Sequence, residues 1–177
     1  MRNQRVIGAV GIIGGVALLF MFVIQPLLTS KPSGGSIQRS PKADKPTEIP
    51  FTHEGTLWFI QPEGDTLKTL DLEIADNDYE RQRGLMDRFN MSEDQSMLFI
   101  FNQERPQSFW MKNTHLSLDI IYVGSNLEIV SIQKNTTPYS TKSLPSEGNA
   151  QYVVEVIGGF CDKYGIGKGT RIAYERN

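Results

Sequence analysis

The chain has 177 residues, of which 39% are apolar and 21% charged. That is enough for one packed domain plus an extension, and too apolar for wholesale disorder. The net charge of −2 hides an asymmetry: residues 1–50 carry six Lys/Arg and two Asp/Glu, whereas residues 51–177 carry twelve and eighteen. An acidic globular part lacks the electrostatic footprint of a nucleic-acid binder. A single Cys excludes an internal disulfide, and with two His it excludes an ordinary structural zinc site.

In chain order, a five-residue tail with Arg2 and Arg5 precedes an uncharged apolar run from Val6 to Ile24 that continues to Leu28. At about 1.5 Å per residue, nineteen such residues match the hydrocarbon core of a bilayer. The apolar run is long for a cleavable signal, and Leu27-Leu28-Thr29-Ser30 is a poor cleavage site. No Cys adjoins it, which excludes lipid attachment there. Residues 6–28 are therefore expected to form an uncleaved signal anchor, with a cleaved signal as the alternative. Lys31, Arg39 and Lys42 nearly balance the basic residues before the span, but a short N-terminal tail stays inside, so the domain is expected on the extracytoplasmic (periplasmic) side. Gly11 and Gly15 form the G-x-x-x-G spacing that lets two membrane helices approach, so an anchor-helix dimer is the weaker further expectation. Residues 29–50, with four Pro and four basic side chains, read as a flexible linker.

Residues 51–177 read as the globular domain. Strands are expected at Thr56–Ile60, Thr66–Ala75, Met97–Phe101, Ser108–Lys112, Leu116–Val123, Leu127–Lys134, Gln151–Ile157 and Gly169–Tyr174. Within the second, Leu70, Leu72 and Ile74 share a face. Asn77 followed by Glu80 is a capping box and Gly84 a stop, predicting a short helix over 78–83. Gly124-Ser125-Asn126 signals a hairpin. Residues 135–150, polar with two Pro, read as a long loop, and a helical turn is expected around Cys161. The sum is an α+β, mostly β domain, a compact barrel-like fold with one or two short helices.

Four ordered segments carry a resemblance: Arg83-Gly84-Leu85-Met86-Asp87-Arg88; Met97-Leu98-Phe99-Ile100-Phe101; Phe109-Trp110-Met111-Lys112-Asn113-Thr114 with Leu118-Asp119-Ile120-Ile121; and Tyr152-Val153-Val154-Glu155. Over about residues 57–175 the chain resembles the domain of unknown function 192 family, also called uncharacterised protein family 0127. The resemblance implies a compact β-rich fold, often exported or membrane-tethered in bacteria, with no established reaction. The chain departs from the family pattern at Ser96, where Gly is usual, at Ser117, where Pro is usual, and at Thr170, where Asp is usual.

Asp119 and Glu155 each interrupt an otherwise apolar strand, where a carboxylate is either paired or has a raised pKa. One reading makes them the acid and base of a small hydrolase acting on cell-surface carbohydrate; the simpler one pairs each with a cation from Arg83, Arg88 or Lys112. Trp110, Lys112, Asn113 and Thr114 offer an aromatic plane beside polar groups, the composition of a small-ligand site such as one for a sugar. If the segment is extended, Trp110, Lys112 and Thr114 share one face. With Arg83 and Asp119 behind them, they form the candidate binding set of a ligand-binding or interaction module. His115, Ser117 and Asp119 stand about 6.6 Å apart in sequence along a strand, too far for a hydrolytic triad. The acidic run at Asp76 lacks the glycine of a calcium loop, and Met86, Met91, Met97 and Met111 read as core filler rather than copper ligands. No metal or other cofactor is expected.

Overall fold

A computed structural model describes residues 49–177. The expected tail and anchor, and all of the linker before residue 49, lie outside the described residues. Among the described residues no helix is long and apolar enough to cross a membrane.

The elements run β1 (Gly55–Ile60), β2 (Thr66–Ala75), α1 (Asp78–Arg83), β3 (Gln95–Phe109), β4 (Leu118–Val123), β5 (Ile129–Gln133), β6 (Leu144–Ile157), α2 (Phe160–Tyr164) and β7 (Arg171–Arg176). They form a mostly β domain with two short helices, as expected. The helix over 78–83 is present with the expected N-cap: Asn77 Oδ1 accepts from the Glu80 N–H at 3.0 Å, while Glu80 Oε2 reaches back one residue beyond the cap, to the Asp76 N–H at 3.2 Å. Two strand expectations are corrected. The Met97 and Ser108 segments are one continuous strand, because β6 pairs with both halves and bridges the irregular stretch between Ile100 and Arg105. The long loop after Asn135 is shorter than expected, since Leu144–Ala150 extends β6 to pair with the far half of β3. Polar composition hid this strand because its first half is mostly exposed.

The seven strands form one sheet in the order β5-β4-β6-β3-β2-β1-β7. All pairings are antiparallel except β2 with β3, whose parallel crossover carries α1. The sheet curls into a half-barrel. Its two edges meet in one antiparallel bridge, Glu128 opposite Arg171, where the Ile129 N–H donates to the Thr170 carbonyl and the Ile172 N–H to the Leu127 carbonyl. One core draws residues from every strand, among them Phe59, Leu72, Leu98, Ile121, Val154 and Ile172, and so occupies the concave face; Phe160 and Cys161 of α2 plug it. The second core lies on the convex face over β3, β4 and β6, where Leu85 and Met111 cover Phe99, Ile120, Tyr122 and Val153.

Asp119 is fully buried on the concave side, opposite Val156. Its partner is not the expected cation. Oδ1 accepts from the backbone N–H of Asn135 at 2.7 Å and of Gly159 at 3.1 Å, and Oδ2 accepts from the Cys161 N–H at 2.9 Å. Arg83 instead bonds the Tyr79 hydroxyl, and Lys112 lies over the Trp110 ring. The buried ion pair is found elsewhere, between Arg88 and Glu73. Thr170, standing where the family pattern has Asp, is buried and accepts from the Gly167 N–H at 3.3 Å, a turn-closing role.

Asp119→Asn replaces one acceptor oxygen by a donor facing N–H groups. The variant is expected to lose about 2–4 kcal/mol of stability in urea unfolding, whereas Arg83→Ala and Lys112→Ala should each shift it by less than about 0.5 kcal/mol. Equal losses in all three would restore the ion-pair account.

Candidate functional site

The convex face holds a cleft of about 190 Å³ between α1 with its following turn and the outer half of β3. Its construction starts at Gly84. This residue ends α1 at φ 49°, ψ −135°, a backbone state that side chains disfavour. A Cβ here would stand 3.0 Å from Phe99 Cζ and 3.8 Å from Glu155 Oε2. Glycine thus lets the chain turn directly over the cleft floor without filling it. Leu85 then anchors the turn in the convex core.

The floor is Glu155. In register it is flanked by Met97 of β3 and Ile120 of β4, and it is 4% exposed. Among the described residues it has no ion pair and no hydrogen bond, and it lines the cleft. Burial pushes its carboxyl up to about 8. Beneath it, the Tyr122 hydroxyl donates to the Leu144 carbonyl, and burial followed by the Glu155 charge raises the phenol further still. Phe99, Phe101 and Phe109 form the walls; Phe109 meets Phe99 edge-on at 4.9 Å and Phe101 at 6.5 Å. Trp110, 48% exposed, stands at the mouth, buried Thr114 and Gln107 also line the cleft, and Arg81 and Arg83 complete the rim. Arg81 is held by Asp78 at 2.7 Å and by the Ile100 carbonyl at 2.9 Å.

The structure brings together four of the sequence candidates: Arg83, Trp110, Thr114 and Glu155. It does not bring the others. The chain leaves β3 at Phe109 and turns, so Trp110, Lys112 and Thr114 do not share a strand face; Met111 is buried and Asn113 sits at φ 55° with its carbonyl accepting from the Asp87 N–H. Lys112 and Asn113 are exposed outside the cleft. Asp119 lies on the opposite face of the sheet. Because Ile120 pairs with Glu155 and Asp119 with Val156, the two carboxylates point to opposite sides, and they do not form an acid–base pair in one cleft. The sequence reading missed the aromatic walls. Their signal is the alternation Phe99-Ile100-Phe101, which puts both rings on one face of the strand expected at Met97–Phe101.

A half-barrel with a cleft on its convex face, floored by the buried acid Glu155, defines a β-rich domain. The chain belongs to the domain of unknown function 192 (DUF192) family, described as "Uncharacterized ACR", whose pattern matches residues 59–174. Two solved structures share the fold. One, from Sinorhizobium meliloti 1021 and described as a candidate transcription regulator, is 33% identical, with a TM-score of 0.66 covering 72% of this chain and 97% of that one. The other, a protein of unknown function from Novosphingobium aromaticivorans DSM 12444, is 28% identical, with a TM-score of 0.65 covering 78% and 99%. No curated protein matches the chain.

Glu155 ties stability to pH. Folded, it holds its proton to about pH 8; unfolded, it releases it near 4.5. Its raised folded value makes its contribution complete below about pH 4.5 and lost as pH rises through 8. Glu155→Gln is therefore expected to flatten the fall in stability between pH 5 and 9 and to be the more stable form at pH 9, by an amount on the order of a few kcal/mol. Chemical denaturation across that range tests it, and parallel slopes for both proteins would refute it.

Proposed function

We propose that residues 51–177 are a small-ligand binding module, held at the membrane by residues 6–28 on the extracytoplasmic side, with the ligand bound in the convex cleft. The observation that carries this reading is Glu155: a buried acid without a hydrogen-bond or ion-pair partner among the described residues, at the floor of an open aromatic cleft. A structural carboxylate in this fold finds donors, as Asp119 does three times over. One left without them at the bottom of a cavity is the arrangement that sites for polar ligands share. Trp110 at the mouth supplies an exposed aromatic face, which suits a small polar ligand such as a sugar or another cell-envelope component. The membrane placement rests on the apolar run Val6–Ile24.

The hydrolase alternative loses its acid–base pair, since both oxygens of Asp119 accept backbone N–H groups on the far face of the sheet from Glu155. The regulator description of the Sinorhizobium meliloti protein supports no nucleic-acid reading for this chain, whose residues 51–177 carry eighteen acidic and twelve basic side chains.

A thermal-shift screen of sugars and small envelope metabolites should yield compounds that raise the melting midpoint of the wild type and leave that of Trp110→Ala unmoved. Ligands that shift both proteins equally would place binding elsewhere. For topology, alkaline phosphatase fused after Asn177 is expected to be active, and a dark phosphatase beside a bright cytoplasmic fluorescent reporter would reverse the orientation.

A further inference from the structure

The chemistry of the cleft says more about its ligand than that it is small and polar. Three phenylalanines and a tryptophan surround one carboxyl. Hydrogen-bond donors aimed at that carboxyl are absent: no N–H or O–H among the described residues bonds Glu155, although Gln107 lies in the same cleft and spends its amide on the Ala150 carbonyl. Aromatic walls supply no hydrogen bonds to a hydroxylated ligand, but their faces attract a cation. Lys112 already shows this locally, with Nζ 5.1 Å from the Trp110 centroid, from outside the cleft. At the mouth, Arg83 has the Tyr79 hydroxyl at 3.1 Å and no carboxylate within ion-pair distance among the described residues. The cleft is thus acidic and aromatic at its floor and cationic at its rim.

Resting on the ligand-site reading above, we propose that the cleft binds a small zwitterion, with its ammonium group among Phe99, Phe101, Phe109 and Trp110 against the Glu155 carboxylate and its anionic group at Arg83. Neither a simple cation nor a simple anion suits both ends. A cation alone meets Arg81 and Arg83 at the entrance, and an anion alone meets Glu155 at the floor.

Binding of this kind displaces a proton. Burial alone keeps Glu155 protonated at neutral pH. An ammonium group beside it favours the carboxylate, so the carboxyl O–H bond breaks, the proton passes to solvent and the electron pair stays on Glu155. The groups that face Glu155 from its neighbours do not take that proton. Tyr122 of β4 donates to a carbonyl and titrates far higher. Arg81 and Arg83 are cations, and Glu73 of β2, beyond Met97 in the register, is neutralised by Arg88.

The test uses calorimetry on the full chain in a mild non-ionic detergent at pH 7, in two buffers of different ionisation enthalpy. The probes are glycine betaine and its longer homologue 4-(trimethylammonio)butanoate, with 5,5-dimethylhexanoate as the uncharged-end isostere of the latter and glucose as a neutral polar ligand. At least one of the two zwitterions is expected to bind saturably with release of close to one proton, at least about tenfold more tightly than the isostere. Glu155→Gln should lose that preference and the proton release while keeping its cooperative melt. Trp110→Ala, altered at an exposed position, should bind the zwitterion more weakly. Tight binding of the isostere, or of glucose alone, would overturn the zwitterion while leaving the cleft a ligand site. Unchanged zwitterion affinity in both variants would overturn it too, and the absence of any binding would remove the ligand-site reading along with it.

Discussion

The Asp119 carboxylate is the contact on which the arrangement of this domain depends. It sits at the start of β4 and takes three backbone N–H groups, one from Asn135 just beyond β5 and two from the turn and first residues of α2 beyond β6. β4, β5 and β6 are consecutive in the chain and adjacent in the sheet. One side chain therefore closes the same end of all three strands. It also seats α2, which presents Phe160 and Cys161 to the concave core. Buried N–H groups must find acceptors, and a carboxylate offers more acceptor sites in a small volume than any other side chain. Here that capacity replaces the cation expected from charge alone.

Fixing those strand ends fixes which residues face outward. With Asp119 committed to the concave side, Ile120 and its partner Glu155 must face the convex side. The convex face is only partly covered, by the chain that follows α1 and by the segment after β3. Gly84 keeps the first of these from closing over the floor. The cleft is therefore a consequence of the fold's incomplete second layer, not an insertion. Its floor is a group whose ionised form the fold disfavours, the kind of local cost that is commonly found where a protein binds something.

The two acids thus illustrate opposite solutions to one problem. Both interrupt apolar strands, and from sequence they look equivalent. Asp119 is satisfied by three backbone N–H groups and serves the scaffold. Glu155 is hydrogen-bonded by none of the described residues and faces a cavity. The Arg88–Glu73 pair shows a third solution, mutual neutralisation, and it secures the turn after α1 to β2.

Much of this was legible in the residues. The limits of β2 and α1, the N-cap at Asn77, the hairpin at Gly124 and the shared face of Leu70, Leu72 and Ile74 all follow from period, caps and turn chemistry, which act over a few residues. The resemblance carried by the Arg83, Phe99, Trp110 and Glu155 segments identified the family. The continuity of β3 and the first half of β6 were not legible, because polar strands held by cross-strand pairing carry no hydrophobic period of their own. Nor were the opposite fates of Asp119 and Glu155. Which face a residue takes is alternation within its own strand, but which acid meets backbone N–H groups and which meets a void depends on inter-strand register and on what covers each face. Those are relations between segments distant in sequence, and only the assembled sheet settles them.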